Sequence, residues 1–315
     1  MAENLLVSLT VVAPLLLLML LGGFLLRVKV LDSGTVKKMN GAIFKAFLPA
    51  LIFNNLYNSN ISDIKDIRAG AFAAAVLGGA YILSIVLVMF LEKDNKKRGV
   101  MAQGICRSNF VIFGLPLCQA ICGDSVLGKI SIAVAIVIPV INVLAVVSLE
   151  VFRGESGGFN IKKIAKGVIT NPLIISSALG IIVLLSGIKL PEIAEKTISD
   201  VAKIATPLAL ILLGASINFS TVRGNLRQLI ITISGKLVIV PLVGITLAAI
   251  IGMRGGDLAL LIAALASPTA VSSYPMALQM DGDGDLAAQI VAFSTVICII
   301  TVFLWVFALK QFGLI

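Results

Sequence analysis

Arg107 stands inside an otherwise apolar run, nine residues after Arg98. At a helical rise of about 1.5 Å per residue that places it roughly 13 Å into the run, near the middle of a ~30 Å hydrocarbon layer. An arginine at that depth costs at least ~2.5 kcal/mol, so it must face protein and find a partner. Its planar fork of donors can hold a carboxylate. The alternatives are a side chain that snorkels to the rim, or one that pairs with carbonyls freed by a helix break. Ser108 and Asn109 follow directly; the Asn109 amide can orient a substrate or stitch a broken backbone. Lys236 is the second deep cation, eleven residues past Asn225 and roughly 16 Å in. It is read as a fixed cation or a titrating group, against snorkelling. Asn54, paired with Asn55 at the end of another apolar run, is a candidate site lining or a helix-end cap. No Asp or Glu lies deep in any run: Glu150, Asp200 and Asp257 stand at edges. Deep cations without deep carboxylates favour an anionic substrate and argue against an acid-based proton relay.

These residues sit beside helix breakers. One run reads Ser108-Asn109-Phe-Val-Ile-Phe-Gly114-Leu-Pro116, and another Ser267-Pro268-Thr269-Ala-Val-Ser272-Ser273-Tyr-Pro275. Glycine permits close backbone approach and proline removes a donor, so Gly114 and Pro116 are expected to form the first break. Pro268 or Pro275 marks the second. The hydroxyls of Ser267, Thr269, Ser272 and Ser273 can satisfy loosened carbonyls, coordinate a small cation or bind substrate, and the sequence does not choose between them. Irregular backbone at membrane depth must face protein or a wet cavity. Two interrupted spans in corresponding halves point to a transporter's substrate site.

The composition fits that placement. Hydrophobic residues make up 59% of the 315-residue chain and charged residues 13%, about half the charged share of a soluble domain. The mean hydropathy is +1.09. With spans of roughly 20 residues, ten are predicted: 5–27, 36–56, 68–91, 99–121, 126–149, 163–186, 197–217, 226–250, 257–279 and 285–309. The first lacks a small-residue cleavage site and is read as a span. The connections at 27–38, 93–98, 153–166 and 223–227 carry fourteen Lys and Arg, against eight on the other side. The richer side is expected in the cytoplasm, with both termini outside a cell inner membrane. The net charge of +9 is spread over loops, which excludes a nucleic-acid interface.

An offset of 158 relates Pro14 to Pro172, Gly22 to Gly180 and Pro49 to Pro207. Five spans per half is an odd number, so the halves (1–155 and 156–315) enter from opposite sides as an inverted repeat. The fold class expected is an all-α polytopic membrane protein: ten helices in two inverted five-helix repeats, with helices 4 and 9 broken where they cross. There is no histidine, no paired deep carboxylate and no nucleophile–base pair, so an enzyme is not expected. Cys106, Cys118, Cys122 and Cys298 all lie in apolar runs and read as buried small hydrophobes. The run Asp281-Gly-Asp283-Gly-Asp285 resembles the start of a calcium loop, but position six is Leu286 and position twelve Ala292. It reads instead as a turn whose aspartates cap the tenth helix, and no metal or cofactor is expected.

The runs "PLLLLMLLGGFLLR" (14–27), "FLPALIFNNL" (47–56), "RSNFVIFGLPL" (107–117), "ATPLALILLGASI" (205–217) and "ASPTAVSSYPMA" (266–277) resemble the auxin efflux carrier family. That family includes plant carriers and bacterial permeases for malonate, malate and similar acids. The resemblance implies a scaffold of spans 1, 2, 6 and 7 and a transport domain of spans 3–5 and 8–10. It places the crossing at Pro116 and Pro268 with Asn109 near the substrate, and suggests a homodimer. The long central loop of the plant carriers is missing, so a small mono- or dicarboxylate is expected in place of auxin. The function expected is alternating-access, elevator-like transport of small organic anions across the lipid bilayer. The rivals are a carrier coupled to a sodium ion or proton, and a membrane sensor that binds a ligand without moving it.

Overall fold

A computed structural model describes residues 2–59, 67–154 and 161–315. Its regular structure is helical, and no strand occurs among the described residues. The helices are α1 (Ala2–Arg27), α2 (Ser33–Ala42), α3 (Leu48–Tyr57), α4 (Ile67–Leu91), α5 (Asn95–Cys106), α6 (Leu115–Cys122), α7 (Leu127–Val151) and α8 (Ile161–Ile169). Then come α9 (Pro172–Ser186), α10 (Glu192–Ser216), α11 (Val222–Ser234), α12 (Val240–Ile250), α13 (Gly256–Leu261), α14 (Ser273–Gln279) and α15 (Gly284–Gln311). Five helices among the described residues are long and apolar enough to cross a membrane, and a sixth results if α8 and α9 count as one span bent by 59°. The protein is a multi-pass membrane protein. The boundary drawn between residues 155 and 156 lies outside the described residues.

Four π-helical turns interrupt the regular helices: Ile43–Phe47, Phe110–Gly114, Gly235–Ile239 and Ile262–Ala266. Each ends two residues before a proline: Pro49, Pro116, Pro241 and Pro268. The cause is local. Proline has no N–H to donate and its ring collides with the carbonyl four residues back. Widening the preceding turn relieves the collision without ending the helix. Only the last of the four leads straight into an interruption. Bends elsewhere have similar origins: Asn171 caps Leu173 N–H at 2.9 Å and Pro172 opens α9, which separates α8 from it.

Two interfaces show how closely the helices approach. A Cβ on Gly22 of α1 would stand 1.8 Å from the Ile211 carbonyl oxygen of α10, and one on Gly214 would stand 1.9 Å from that of Met19. A Cβ on Gly180 of α9 would stand 2.9 Å from Leu56 Cβ of α3. Small residues at such contacts let helix backbones meet where apolar burial cannot drive association. A second group packs α4 on α5 and α7, and α15 on α11 and α14.

Contacts between connections gather at two ends. At one end Lys97 Nζ donates to Asn225 Oδ1 (2.8 Å), Asp283 N–H to the Lys96 carbonyl (3.2 Å), and Arg153 pairs with Asp281 (2.9 Å). At the other, Lys129 pairs with Asp257 (2.6 Å), Arg68 donates to the Ile251 carbonyl (2.8 Å), and Tyr57 bonds Glu195. Asp283 caps α15 through Leu286 N–H at 2.9 Å. Asp281 forms the ion pair with Arg153 instead.

Candidate functional site

Two interrupted helices meet at the centre of the molecule. α5 ends at Cys106, and the chain runs extended through Arg107 before the helical path resumes at Phe110. The second helix ends at Ala266 and resumes at Ser273. The two extended segments lie antiparallel, with Ser108 opposite Thr269. Asn109 N–H donates to the Pro268 carbonyl (2.8 Å) and Ala270 N–H to the Arg107 carbonyl (3.3 Å). Each break thus supplies the backbone partners that the other has lost, which lipid could not do. Further along, a Cβ on Gly114 would stand 2.5 Å from the Ala263 carbonyl oxygen, so only glycine allows the two paths to touch there.

The helix ends at the crossing are satisfied unequally. On the second helix, Lys236 Nζ donates to the Leu265 carbonyl at 3.1 Å. The last carbonyls of a helix lack internal donors, and a cation at that end also meets the negative pole of the helix dipole. Thr269 Oγ1 donates to the Gly104 carbonyl of α5 (2.9 Å), and Thr269 N–H donates to Ser294 Oγ (3.2 Å). Lys236, Ser267 and Thr269 are fully buried.

The first break is different. Arg107 is 2% exposed. Its Nη2 donates to Asn142 Oδ1 of α7 and to Ser272 Oγ, both at 2.9 Å, and its Nη1 contacts Met276 Sδ. Among the described residues its Nε has no partner, and neither do Ser108 Oγ or Asn109 Nδ2. No carboxylate among the described residues comes within 4.0 Å of the guanidinium. Buried donors are ordinarily satisfied, so three orphans side by side call for a ligand or water. A small cavity of about 70 Å³ opens there, lined by Arg107, Ser108, Asn109, Asn142, Ser272, Asn55 and apolar residues of α3 and α7. Phe110, Val111 and Ile112, which open the resuming helix and whose N–H groups have no partner within it, also line the cavity.

The structure therefore brings together four of the residues singled out from sequence: Arg107, Ser108, Asn109 and Ser272. The other residues singled out from sequence lie apart from the cavity. Lys236 does not line the cavity, because its helix aims it at the Leu265 carbonyl. Thr269 is turned onto Gly104, and Ser273 Oγ is buried away from the cavity without a partner. Asn54 faces two outer clefts and accepts from Asn58 Nδ2 at 3.2 Å, while its neighbour Asn55 lines the cavity. Pro116 sits in the first turn of α6, after the π-helical turn that contains Gly114, so the interruption lies upstream at residues 107–109. Pro268 lies in the crossing segment, and Pro275 lies within α14. Asn142 was missed; the signal available was an amide in the apolar stretch after Pro139.

A multi-pass helical protein with a polar crossing buried between two broken helices has the build of a membrane transporter. Residues 7–306 match the family model described as "Membrane transport protein", and the chain belongs to that family, the auxin efflux carriers. Its members are membrane transporters rather than enzymes. The chain is 24% identical over 297 residues to an "Uncharacterized transporter" of Methanothermobacter thermautotrophicus, covering 93% of this chain and 96% of that protein. It is 22% identical over 306 residues to the "Uncharacterized transporter YfdV" of Escherichia coli K12, covering 93% and 95%.

Proposed function

We propose that this protein is a secondary transporter of small organic anions, mono- or dicarboxylates, working by alternating access. The observation that carries the reading is Arg107: a buried guanidinium with no carboxylate partner among the described residues, lining a cavity with further unpartnered groups on Ser108 and Asn109. A carboxylate would accept from the free Nε and from the neighbouring Asn109 amide, both beside the positive charge. Asn142 and Ser272 hold the fork in place from α7 and from the second break.

The ten-helix inverted repeat is part of this proposal. Support comes from paired contacts. The offset that carries Gly22 to Gly180 also carries Leu56 to Gly214, and both equal 158 (180 − 22 and 214 − 56). In space α1 touches α10 at Gly22 and Gly214, while α3 touches α9 at Leu56 and Gly180. Exchanging the halves maps one interface onto the other. Spans 1, 2, 6 and 7 would form the scaffold along these two interfaces, and the remaining spans would form a transport body that slides against it. The cavity lies between α3 and the crossing, on that boundary. The end holding Lys96, Lys97, Arg153 and Asn225 would face the cytoplasm of a cell inner membrane.

The test is uptake into vesicles reconstituted with the purified protein, using labelled C3 and C4 dicarboxylates and monocarboxylates. Saturable uptake that is lost in Arg107→Ala, with the variant still folded by circular dichroism, supports the reading. Uptake by Arg107→Ala equal to that of the parent contradicts it. Ligand binding without uptake or counterflow would identify a sensor.

A further inference from the structure

An apolar groove of about 330 Å³ runs along the outer face of the molecule between α11 with its following π-helical turn and α15. Its walls include Val222, Ile230 and Val238 on one side and Phe293, Ile297 and Thr301 on the other. Ile230, Val238 and Ile297 are exposed, so the groove opens to the surroundings and not into the crossing. From Val222 to Val238 it is about 24 Å long at the helical rise, longer than one leaflet, which is half of a ~30 Å core. Its head is charged. Arg223 and Arg227 stand one turn apart on the same stripe of α11 as the groove residues Ile230 and Ser234. Both are exposed, and neither has a hydrogen-bond or ion-pair partner among the described residues. Three neighbouring charged groups are already engaged. Lys97 is bonded to Asn225, Glu92 accepts from Gln228 Nε2 at 2.6 Å, and Asp285 lies 3.5 Å from Thr221 Oγ1.

We infer that this groove is a binding site for one anionic phospholipid, with an acyl chain along α11 and α15 and the phosphate on Arg223 and Arg227. The apolar lane fits a chain and not a polar partner. The two free guanidiniums at its mouth select negative charge, which the cytoplasmic leaflet supplies on the orientation proposed above. Arginine forks hold phosphate oxygens through paired hydrogen bonds. The site is separate from the crossing and does not depend on which solute is carried.

The experiment is native mass spectrometry of the full chain in detergent, equilibrated with equal amounts of phosphatidylglycerol and phosphatidylcholine. The expected result is one retained phosphatidylglycerol per chain, at least tenfold over phosphatidylcholine. Arg223→Gln/Arg227→Gln should reduce that retention about tenfold, and Ile230→Trp and Ile297→Trp, which fill the lane, should reduce it with both arginines intact. Two lane variants are used so that one misfolded variant does not remove the test, and size exclusion with circular dichroism reports folding. Lys162→Gln/Lys166→Gln, basic residues on α8, should leave retention unchanged. Equal retention of the two lipids by the parent protein, unchanged retention in the double arginine variant or in folded lane variants, or an equal loss in the α8 control would each overturn the assignment.

Discussion

The two broken helices are built from similar parts and end in opposite states. At the second break nearly every freed group is satisfied: Lys236 caps the Leu265 carbonyl, Thr269 reaches Gly104, and Pro268 accepts from Asn109 N–H. At the first break Arg107 and Asn109 N–H find backbone acceptors, but Arg107 Nε, Ser108 Oγ and Asn109 Nδ2 have no partner among the described residues. On the proposed reading the second break is a clasp and the first a receptor. A repeat can supply two equivalent interruptions, and side chains then decide which one holds the fold and which one holds a ligand. Charge alone does not tell them apart, since each has a deep cation. The partner does: a carbonyl for Lys236, open donors beside a cavity for Arg107.

The largest effect should come from Arg107→Ala. It removes the charged donor at the receptor and should lower anion uptake by more than about 100-fold, as expected where hydrogen bonds to a charged group are lost. Gly114→Ala strikes both helices at once, because the new methyl would meet the Ala263 carbonyl at 2.5 Å. Overpacking of this kind costs about 1–3 kcal/mol, read as a lower unfolding midpoint together with reduced uptake. Lys236→Met should separate the two breaks: about 1–3 kcal/mol less stable, because a buried carbonyl loses its donor, but with substrate affinity within about threefold. A loss of affinity as large as that of Arg107→Ala would merge clasp and receptor. Asn109→Ala should weaken binding about tenfold, near the ~1.4 kcal/mol of a single hydrogen bond. Asn55→Ala should have the smallest effect, still larger than Asn54→Ala, measured as apparent KM for the same anion.

How much of this was legible in the sequence differs between residues. The apolar runs showed where helices would form, because lipid depth demands long stretches of such residues. The deep position of Arg107 was legible from its distance to Arg98, and so was its need for a protein partner. The place of the first break was not, because Gly114 and Pro116 are louder signals than Arg107-Ser108-Asn109. Pro49, Pro116 and Pro241 each follow a widened turn that ends two residues upstream, while Pro14, Pro139 and Pro207 sit within regular helix. At Pro268 the same turn coincides with a true interruption, whose carbonyl accepts from Asn109 N–H of the other break. The direction of Lys236 was equally hidden: a deep lysine can serve a ligand or a helix end, and the Leu265 carbonyl that it meets is 29 residues away in sequence. Asn55 rather than Asn54 faces the cavity, a distinction of one helical step that needs the packing of α3 against α7 and the crossing to decide.

The central claim is that the first break binds a carboxylate through Arg107. The most direct measurement is the thermal shift of purified protein, parent and Arg107→Ala side by side, across a panel of C2–C6 mono- and dicarboxylates. A ligand bound only by the folded state raises the midpoint by mass action, about 2.7 kcal/mol at 100 times Kd. At least one acid should raise the parent's midpoint in a saturable way and leave that of Arg107→Ala unmoved. An equal shift in both proteins, or no shift of the parent by any acid, would contradict the account.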